Sequence, residues 1–340
     1  MTNQYTRRDF IKITAAGAGL LALGGIGLKE LIAQPELKVY SETQVMVGTY
    51  ITIKVVDTDK NNAREMVRLT FDEISRLSLV FSRFDPNSEL YSLNQSGQLI
   101  GASNDMLAIM KKSAEYSEMT RGLFDITTLP LLELNQDSFN RLNTPPRISD
   151  INEVKSLINY KMVNISNNDI TLAKRGALIT LDSIAVGYIV DKAADLLCKD
   201  NMNNVLIDGG GEICPSGARQ DGEPWRIGIA NPRDRSKYIA VINSGNWAIS
   251  TSGDYESYFT DDYLYNFIID PRTGVSPTEL ASATVIAGDT ICADALSTAC
   301  IIMGKDESLS MIENIPGVEA LLIDKNMNIY RTDGFPVNQS

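Results

Sequence analysis

The stretch Asp182-Ser-Ile-Ala-Val-Gly-Tyr-Ile-Val-Asp-Lys-Ala-Ala-Asp-Leu-Leu-Cys-Lys-Asp-Asn-Met-Asn-Asn-Val-Leu-Ile-Asp-Gly-Gly-Gly211 decides the fold class. Tyr188, Val190, Ala193, Ala194 and Leu197 recur at helical spacing and predict a helix over Ile184–Leu197. Asn204–Ile207 then reads as a short apolar strand, closed by Gly209, Gly210 and Gly211. Upstream, Tyr50–Val55 alternates like a half-buried strand. Asn61–Phe81 follows as a helix with Ala63, Met66, Val67, Leu69, Ile74, Leu77 and Val80 as its apolar face, and Met106–Met119 as a second. Downstream the pattern turns to strands: Trp225–Ala230, Tyr238–Ile242, Trp247–Ser250, Tyr263–Ile269 and Ala283–Ile286. A helix over Ala293–Met303 and strands at Ala320–Ile323 and Ile329–Arg331 complete the chain. Strands and helices without regular βαβ alternation predict an α+β fold with mixed sheets and packed helices.

Composition removes several function classes. The chain of 340 residues carries a net charge of −12, which argues against nucleic acid and anionic membrane surfaces as partners. It contains no histidine, which excludes Ser-His-Asp and Cys-His catalysis and His-based metal sites. A metal would need oxygen ligands, favouring magnesium or calcium over zinc or copper. Cys198, Cys214, Cys292 and Cys300 have no CxxC spacing and read as small buried apolar side chains.

Four segments are candidates for chemistry. Gly209–Gly211 would admit a phosphate or a ring to the backbone, or simply make a tight turn; it is not a GxGxxG fingerprint. Asp294 and Thr298 stand at i,i+4, where they can offer two hard oxygens to magnesium. The ordinary alternative is an Asp in the first helical turn and a Thr bonded back to the i−4 carbonyl. Asp270-Pro-Arg-Thr-Gly274 is a turn that presents Asp270 and Arg272. Asp182 or Ser183 would cap the following helix, whose start also favours an anion.

These segments gain meaning from their order. Phe81-Ser-Arg-Phe-Asp-Pro-Asn-Ser-Glu-Leu-Tyr-Ser-Leu-Asn94, Gly122-Leu-Phe-Asp-Ile-Thr127, Asp182–Asp191, Gly209-Gly210, Thr251-Ser-Gly-Asp-Tyr255, Ile268-Ile-Asp-Pro-Arg-Thr-Gly274 and Ala293-Asp-Ala-Leu-Ser-Thr298 together resemble the FAD:protein FMN transferase (ApbE) family. The resemblance implies a T-fold-like α+β architecture. It implies magnesium-dependent transfer of FMN from FAD to a threonine of a partner flavoprotein, with release of AMP. It places metal ligands at Asp294, Thr298 and the backbone carbonyl of Ser183. It places the FAD pocket at Val47, Phe84, Leu123, Phe124, Asp125, Val186, Ile268 and Ile269.

Three positions depart from the family. Val47 stands for a Met, Val186 for a Lys or Glu, and Phe267 for the His expected to take the proton of the acceptor threonine. Neither Val186 nor Phe267 can carry a proton, and general-base help is typically worth about 10²–10⁴ in rate. Three outcomes stay open: transfer with Asp270 or a phosphate oxygen as base, an FAD carrier or sensor that transfers nothing, and a magnesium-dependent FAD pyrophosphatase.

The N-terminus carries its own signal. Thr6-Arg-Arg-Asp-Phe-Ile-Lys12 precedes the uncharged run Ile13–Leu28 and resembles a twin-arginine export address. The run is short of the roughly 20 residues needed to span a bilayer. The expected organisation is an export signal over residues 1–34, which would meet the membrane in transit, and an FAD-binding transferase domain over residues 35–340. The expected location is the periplasm or the outer face of the cytoplasmic membrane.

Overall fold

A computed structural model describes residues 5–6, 36–245 and 247–336. The twin-arginine pair and its apolar run lie outside the described residues. A two-residue strand, β1 (Tyr5–Thr6), is the described part of the N-terminal segment. Among the described residues no helix is long and apolar enough to cross a membrane.

The core is one antiparallel sheet of eight strands built from two successive units of the same design. In the first, β2 (Lys38–Met46) and β3 (Thr49–Asp57) form a hairpin, and β7 (Val205–Asp208) and β8 (Ile213–Ser216) a second. In the second, β11 (Ala248–Gly253) pairs with β12 (Leu280–Ala287), and β13 (Glu319–Asp324) with β14 (Ile329–Arg331). The units join edge to edge through β8 and β11, giving the order β14-β13-β12-β11-β8-β7-β3-β2.

Each unit carries helices between its hairpins. The first supplies α1 (Lys60–Phe81) and, after an insertion, α6 (Ala185–Lys199). The second supplies α7 (Thr290–Met303) and α8 (Lys305–Ile312). Asp59 starts α1 by accepting the Asn61 and Asn62 N–H groups at 2.8 and 3.3 Å. Its buried side chains, Ala63, Met66, Val67, Phe71, Ile74, Leu77 and Phe81, keep the three–four spacing of a core stripe. Leu69 departs from the expected face and points to solvent. Helix α7 is different: nearly every residue is buried, as befits a helix covered on all sides. It packs on β11, β12, α6 and α8 and forms the centre of the molecule.

The insertion spans α2 (Glu89–Ser96), β4 (Gln98–Leu99), α3 (Asn104–Met119), α4 (Leu129–Leu142), α5 (Ile148–Lys155), β5 (Val163–Ser166) and β6 (Asp169–Leu172). On the far face of the large sheet lies the hairpin of β9 (Arg226–Asn231) and β10 (Asp234–Asn243). Its Ile227, Ile229 and Ile242 pack on Ile249, Ile286, Leu321 and Ile323. Strand β12 is therefore buried on both faces: Ile286 meets this hairpin, while Ala283, Val285 and Ala287 face the helices.

Three expectations change. Tyr263–Ile269 is not a strand; it is irregular, with one isolated bridge, Tyr258 to Asn266. Its apolar residues serve an aromatic stack instead: Phe259 stacks on Phe139 at 5.1 Å and on Phe267 at 4.7 Å. Neither Asp182 nor Ser183 caps α6, whose N-cap is Ile184 without a side-chain bond. The four cysteines are unpaired, yet only Cys300 is buried; Cys198 is exposed near the end of α6.

Candidate active site

The two units meet at a cavity of about 450 Å³ beside α7. Its floor is set by how α6 and α7 cross. At Gly187 a Cβ would lie 2.7 Å from the Thr290 carbonyl oxygen and 2.9 Å from the Asp294 Cβ, so only glycine permits the approach. That contact lets Asp294 Oδ2 accept the Gly187 N–H at 3.0 Å, satisfying a donor in the first turn of α6. Asp191 of α6 returns the favour: its two oxygens accept the Thr290 and Ile291 N–H groups at 2.8 and 2.9 Å. Asp294 is thus not in the first turn of α7; it lies one turn further in, aimed at the start of the other helix.

Asp294, Thr298, Ser183 and Glu212 all border the cavity. A chain of hydroxyls joins Glu212 to Thr298. Ser250 Oγ lies 3.3 Å from Glu212 Oε1 and from Ser297 Oγ, Ser252 Oγ lies 2.8 Å from Ser297 Oγ, and Thr298 Oγ1 lies 3.0 Å from Ser252 Oγ. Thr298 is therefore held by a side chain rather than by the i−4 carbonyl.

The charges on this floor are all of one sign. Burial pushes the Asp294 carboxyl up to about 7, against the pull of the Gly187 N–H. Burial, then the charge of Asp294, holds Glu212 well above the usual carboxylate range. Among the described residues neither forms an ion pair with Lys or Arg, and no group of three or more Asp, Glu, Cys or His is poised for a metal. The donor set on offer is one or two carboxylates with neutral hydroxyl and carbonyl oxygens. That suits magnesium, which takes few protein carboxylates and keeps water and phosphate oxygens as further ligands.

The upper walls come from three loops. Asp125 fixes the first: its Oδ1 accepts the Thr127 N–H and hydroxyl at 2.8 and 2.6 Å, and its Oδ2 accepts the Tyr160 N–H at 2.9 Å. This presents Leu123 and Phe124 to the cavity. Burial raises the Asp125 carboxyl in spite of these donors. The second loop carries Arg83 and Phe84, with the guanidinium 4.1 Å from the ring centre of a phenyl that is 72% exposed. The third brings Phe267, Ile268 and Ile269, with Phe267 at the end of the aromatic stack.

Nine of the twelve sequence candidates therefore line one cavity: Phe84, Leu123, Phe124, Asp125, Ile268, Ile269, Ser183, Asp294 and Thr298. Three do not. Val47 sits at the β2–β3 turn with φ 53° and packs toward the core, while its neighbour Gly48 borders the cavity. Val186 packs at the glycine turn, where a Cβ on Gly209 would come within 2.9 Å of it. Asp270 is turned away into an ion pair with Arg272, at 2.9–3.1 Å, whose Nη2 also donates to the Ile302 carbonyl at the end of α7. The glycine triplet is the β7–β8 turn, with Gly210 pressed against Thr49. Sequence reasoning did not single out Glu212, Ser252 or Arg83 for a role, although Ser252 and Arg83 lie inside the motifs quoted above.

This architecture is that of known flavin-transferase structures. The chain is 30% identical to the ApbE protein of Thermotoga maritima, with a TM-score of 0.80 over 88% of this chain and 98% of that one. It is 26% identical to the flavin transferase ApbE of Vibrio cholerae, with a TM-score of 0.76 over the same shares. Among curated proteins, the FAD:protein FMN transferase of Vibrio cholerae serotype O1 is 28% identical over 93% of this chain and 97% of its own length. That of Haemophilus influenzae is 29% identical over 87% and 89%. Residues 47–322 match the ApbE family, and the chain belongs to it.

Proposed function

We propose that the protein is an FAD:protein FMN transferase that moves FMN from FAD to a threonine hydroxyl of a target protein and releases AMP. The observation that carries the reading is the single cavity that joins Asp294, Thr298, Ser183 and Glu212 to the apolar walls at Leu123, Phe124, Ile268 and Ile269. The apolar walls offer the flavin ring a dry face, and the oxygen-rich floor suits a metal-bound pyrophosphate.

Asp294, Thr298 and the Ser183 carbonyl would hold magnesium, with Glu212 beside them. The metal, when bound, neutralises charge on the phosphate oxygens during displacement. Its positive charge would offset the burial that raises both carboxyls, and the negative charge of Asp294 that adds to the rise at Glu212. Asp125 holds the flavin wall rigid. The reacting phosphorus would lie between floor and mouth, open to an incoming hydroxyl.

The test is direct. Purified protein is mixed with FAD, magnesium and a target carrying an acceptor threonine, and a denaturing gel is read for a fluorescent band. A band no stronger than the no-enzyme control overturns transfer.

Phe267 favours a second reading. The aromatic stack leaves a phenyl where a proton acceptor would serve the threonine, which suits a protein that holds FAD without transferring it. That protein would purify yellow and give no covalent product. Twin-arginine export of residues 1–34 is part of the proposal; a reporter fused behind that segment should lose export when Arg7 and Arg8 become Lys.

A further inference from the structure

Arg83 stands apart among the described residues that line the cavity: it alone is basic. Its side chain is only 12% exposed. Its Nε donates to Asp182 Oδ2 at 3.2 Å, a long single bond to a carboxylate that is half in solvent. Its Nη1 and Nη2 have no hydrogen-bond partner among the described residues. The guanidinium carbon sits 4.1 Å from the centre of the Phe84 ring, and Glu133 of α4 lies within electrostatic reach. With Nε held by Asp182, the two amino groups at the cavity are left to water and can exchange it for the oxygens of an anion. Asp182 precedes Ser183 directly, so the fork stands beside the oxygen floor.

We propose that Arg83 is the anion-binding residue of this cavity, its Nη1 and Nη2 gripping the pyrophosphate of a dinucleotide and the phosphate of the departing nucleotide. The inference rests on the transferase reading and adds to it a residue with a stated task. In the transfer, the acceptor oxygen forms a bond to the phosphorus of the FMN half. The bond from that phosphorus to the bridging oxygen breaks, and its electron pair stays on the AMP phosphate. The hydroxyl proton passes to water at the open mouth. Negative charge thus accumulates on the leaving phosphate, where a fixed guanidinium fork is most effective.

The experiment compares the wild-type protein with Arg83→Gln, Arg83→Lys and Asp182→Asn in EDTA, so that no metal contributes. FAD, ADP and riboflavin are the probes, followed by flavin fluorescence and calorimetry. Arg83→Gln should weaken FAD and ADP by about 10- to 100-fold, the loss of a charge-assisted pair, and leave riboflavin unchanged. Arg83→Lys should recover part of that loss. Asp182→Asn frees the fork and should hold or tighten ADP, whereas a merely structural pair would make Asp182→Asn as harmful as Arg83→Gln. Equal FAD and ADP affinity in wild type and Arg83→Gln, or equal losses in Arg83→Gln and Asp182→Asn, would overturn the role of Arg83 and leave the transferase reading intact. A wild-type protein that binds neither FAD nor riboflavin, in EDTA or with magnesium restored, would overturn both.

Discussion

Asp191 on α6 and Asp294 on α7 each hold the first turn of the other's helix. Asp191 accepts two N–H groups of α7 and Asp294 accepts one of α6, and Gly187 makes the crossing close enough for both. One of these carboxylates is also the proposed metal ligand. The local architecture and the chemistry therefore share an atom set, and perturbing either should be felt in the other.

Magnesium should raise the melting temperature of the wild-type protein, and EDTA should reverse the rise. A ligand at 100 times its Kd adds about 2.7 kcal/mol to a folded state that alone binds it. Asp294→Asn should lose this magnesium response yet melt in EDTA near the wild-type temperature. Asn can still accept from Gly187, and the variant no longer buries a charge. Scanning fluorimetry with and without magnesium reads both effects; a full magnesium shift in the variant would remove Asp294 from the site.

Gly187→Ala should cost about 1–3 kcal/mol, the usual penalty for forcing extra volume into a packed contact. The new methyl would meet backbone at Thr290, which cannot swing aside. Because the helices must part, the magnesium shift should shrink as well. Urea unfolding and fluorimetry on the same sample separate this from a simple loss of stability.

Asp191 predicts a pH dependence. Burial lifts its carboxyl to about 6, above the ordinary range near 4. A carboxyl raised in the folded state contributes stability that is complete below the unfolded pKa and is lost as pH rises through the folded one. Between about pH 4 and pH 6 the wild type should therefore lose stability from this group, at most about 3 kcal/mol. Asp191→Asn should flatten that part of the curve, measured by urea unfolding at several pH values. An unchanged slope would mean that Asp191 is ionised at no cost.

Phe267→His tests the missing base. The side chain ends an aromatic stack at the cavity wall, and an imidazole fits that space. If transfer is slow for want of a proton acceptor, the variant should raise the rate by about 10²-fold, the lower end of general-base effects, with FAD affinity unchanged. A time course of the fluorescent product gives the answer. No gain in rate would show that the proton leaves by another path.

Much of this was legible in the sequence, and the rest fails for identifiable reasons. Helices α1, α6 and α7 announce themselves because each buries a long regular stripe or is apolar throughout. The motifs at Phe84, Leu123–Asp125, Ser183, Ile268–Ile269 and Asp294–Thr298 converge on one cavity, as their order suggested. Residues 143–180 carry short elements whose stability comes from packing, so local periodicity is weak there, whereas α4 buries Leu131, Leu132, Asn135 and Phe139 on a helical stripe that the sequence reading passed over. Tyr263–Ile269 has the composition of a strand, yet its rings stack on Phe139 and Phe259 instead of pairing backbone. Glu212 was hidden behind a glycine turn, and nothing in its neighbours betrays that Ser250 and Asp294 face it from the other unit. Cys198 lies near the end of a helix, where the apolar stripe has already rotated away.

The seam between the two sheet units has a further consequence. Ser183, Gly187 and Glu212 come from the first unit, while Asp294, Thr298 and Ser252 come from the second. If the cavity is the flavin site proposed above, neither half would hold the dinucleotide alone, and affinity would behave as a logical AND of two folding events. Bound flavin would then be a certificate of completed folding, and its yellow colour a visible one. A chain damaged in either half should emerge colourless, not half as bright.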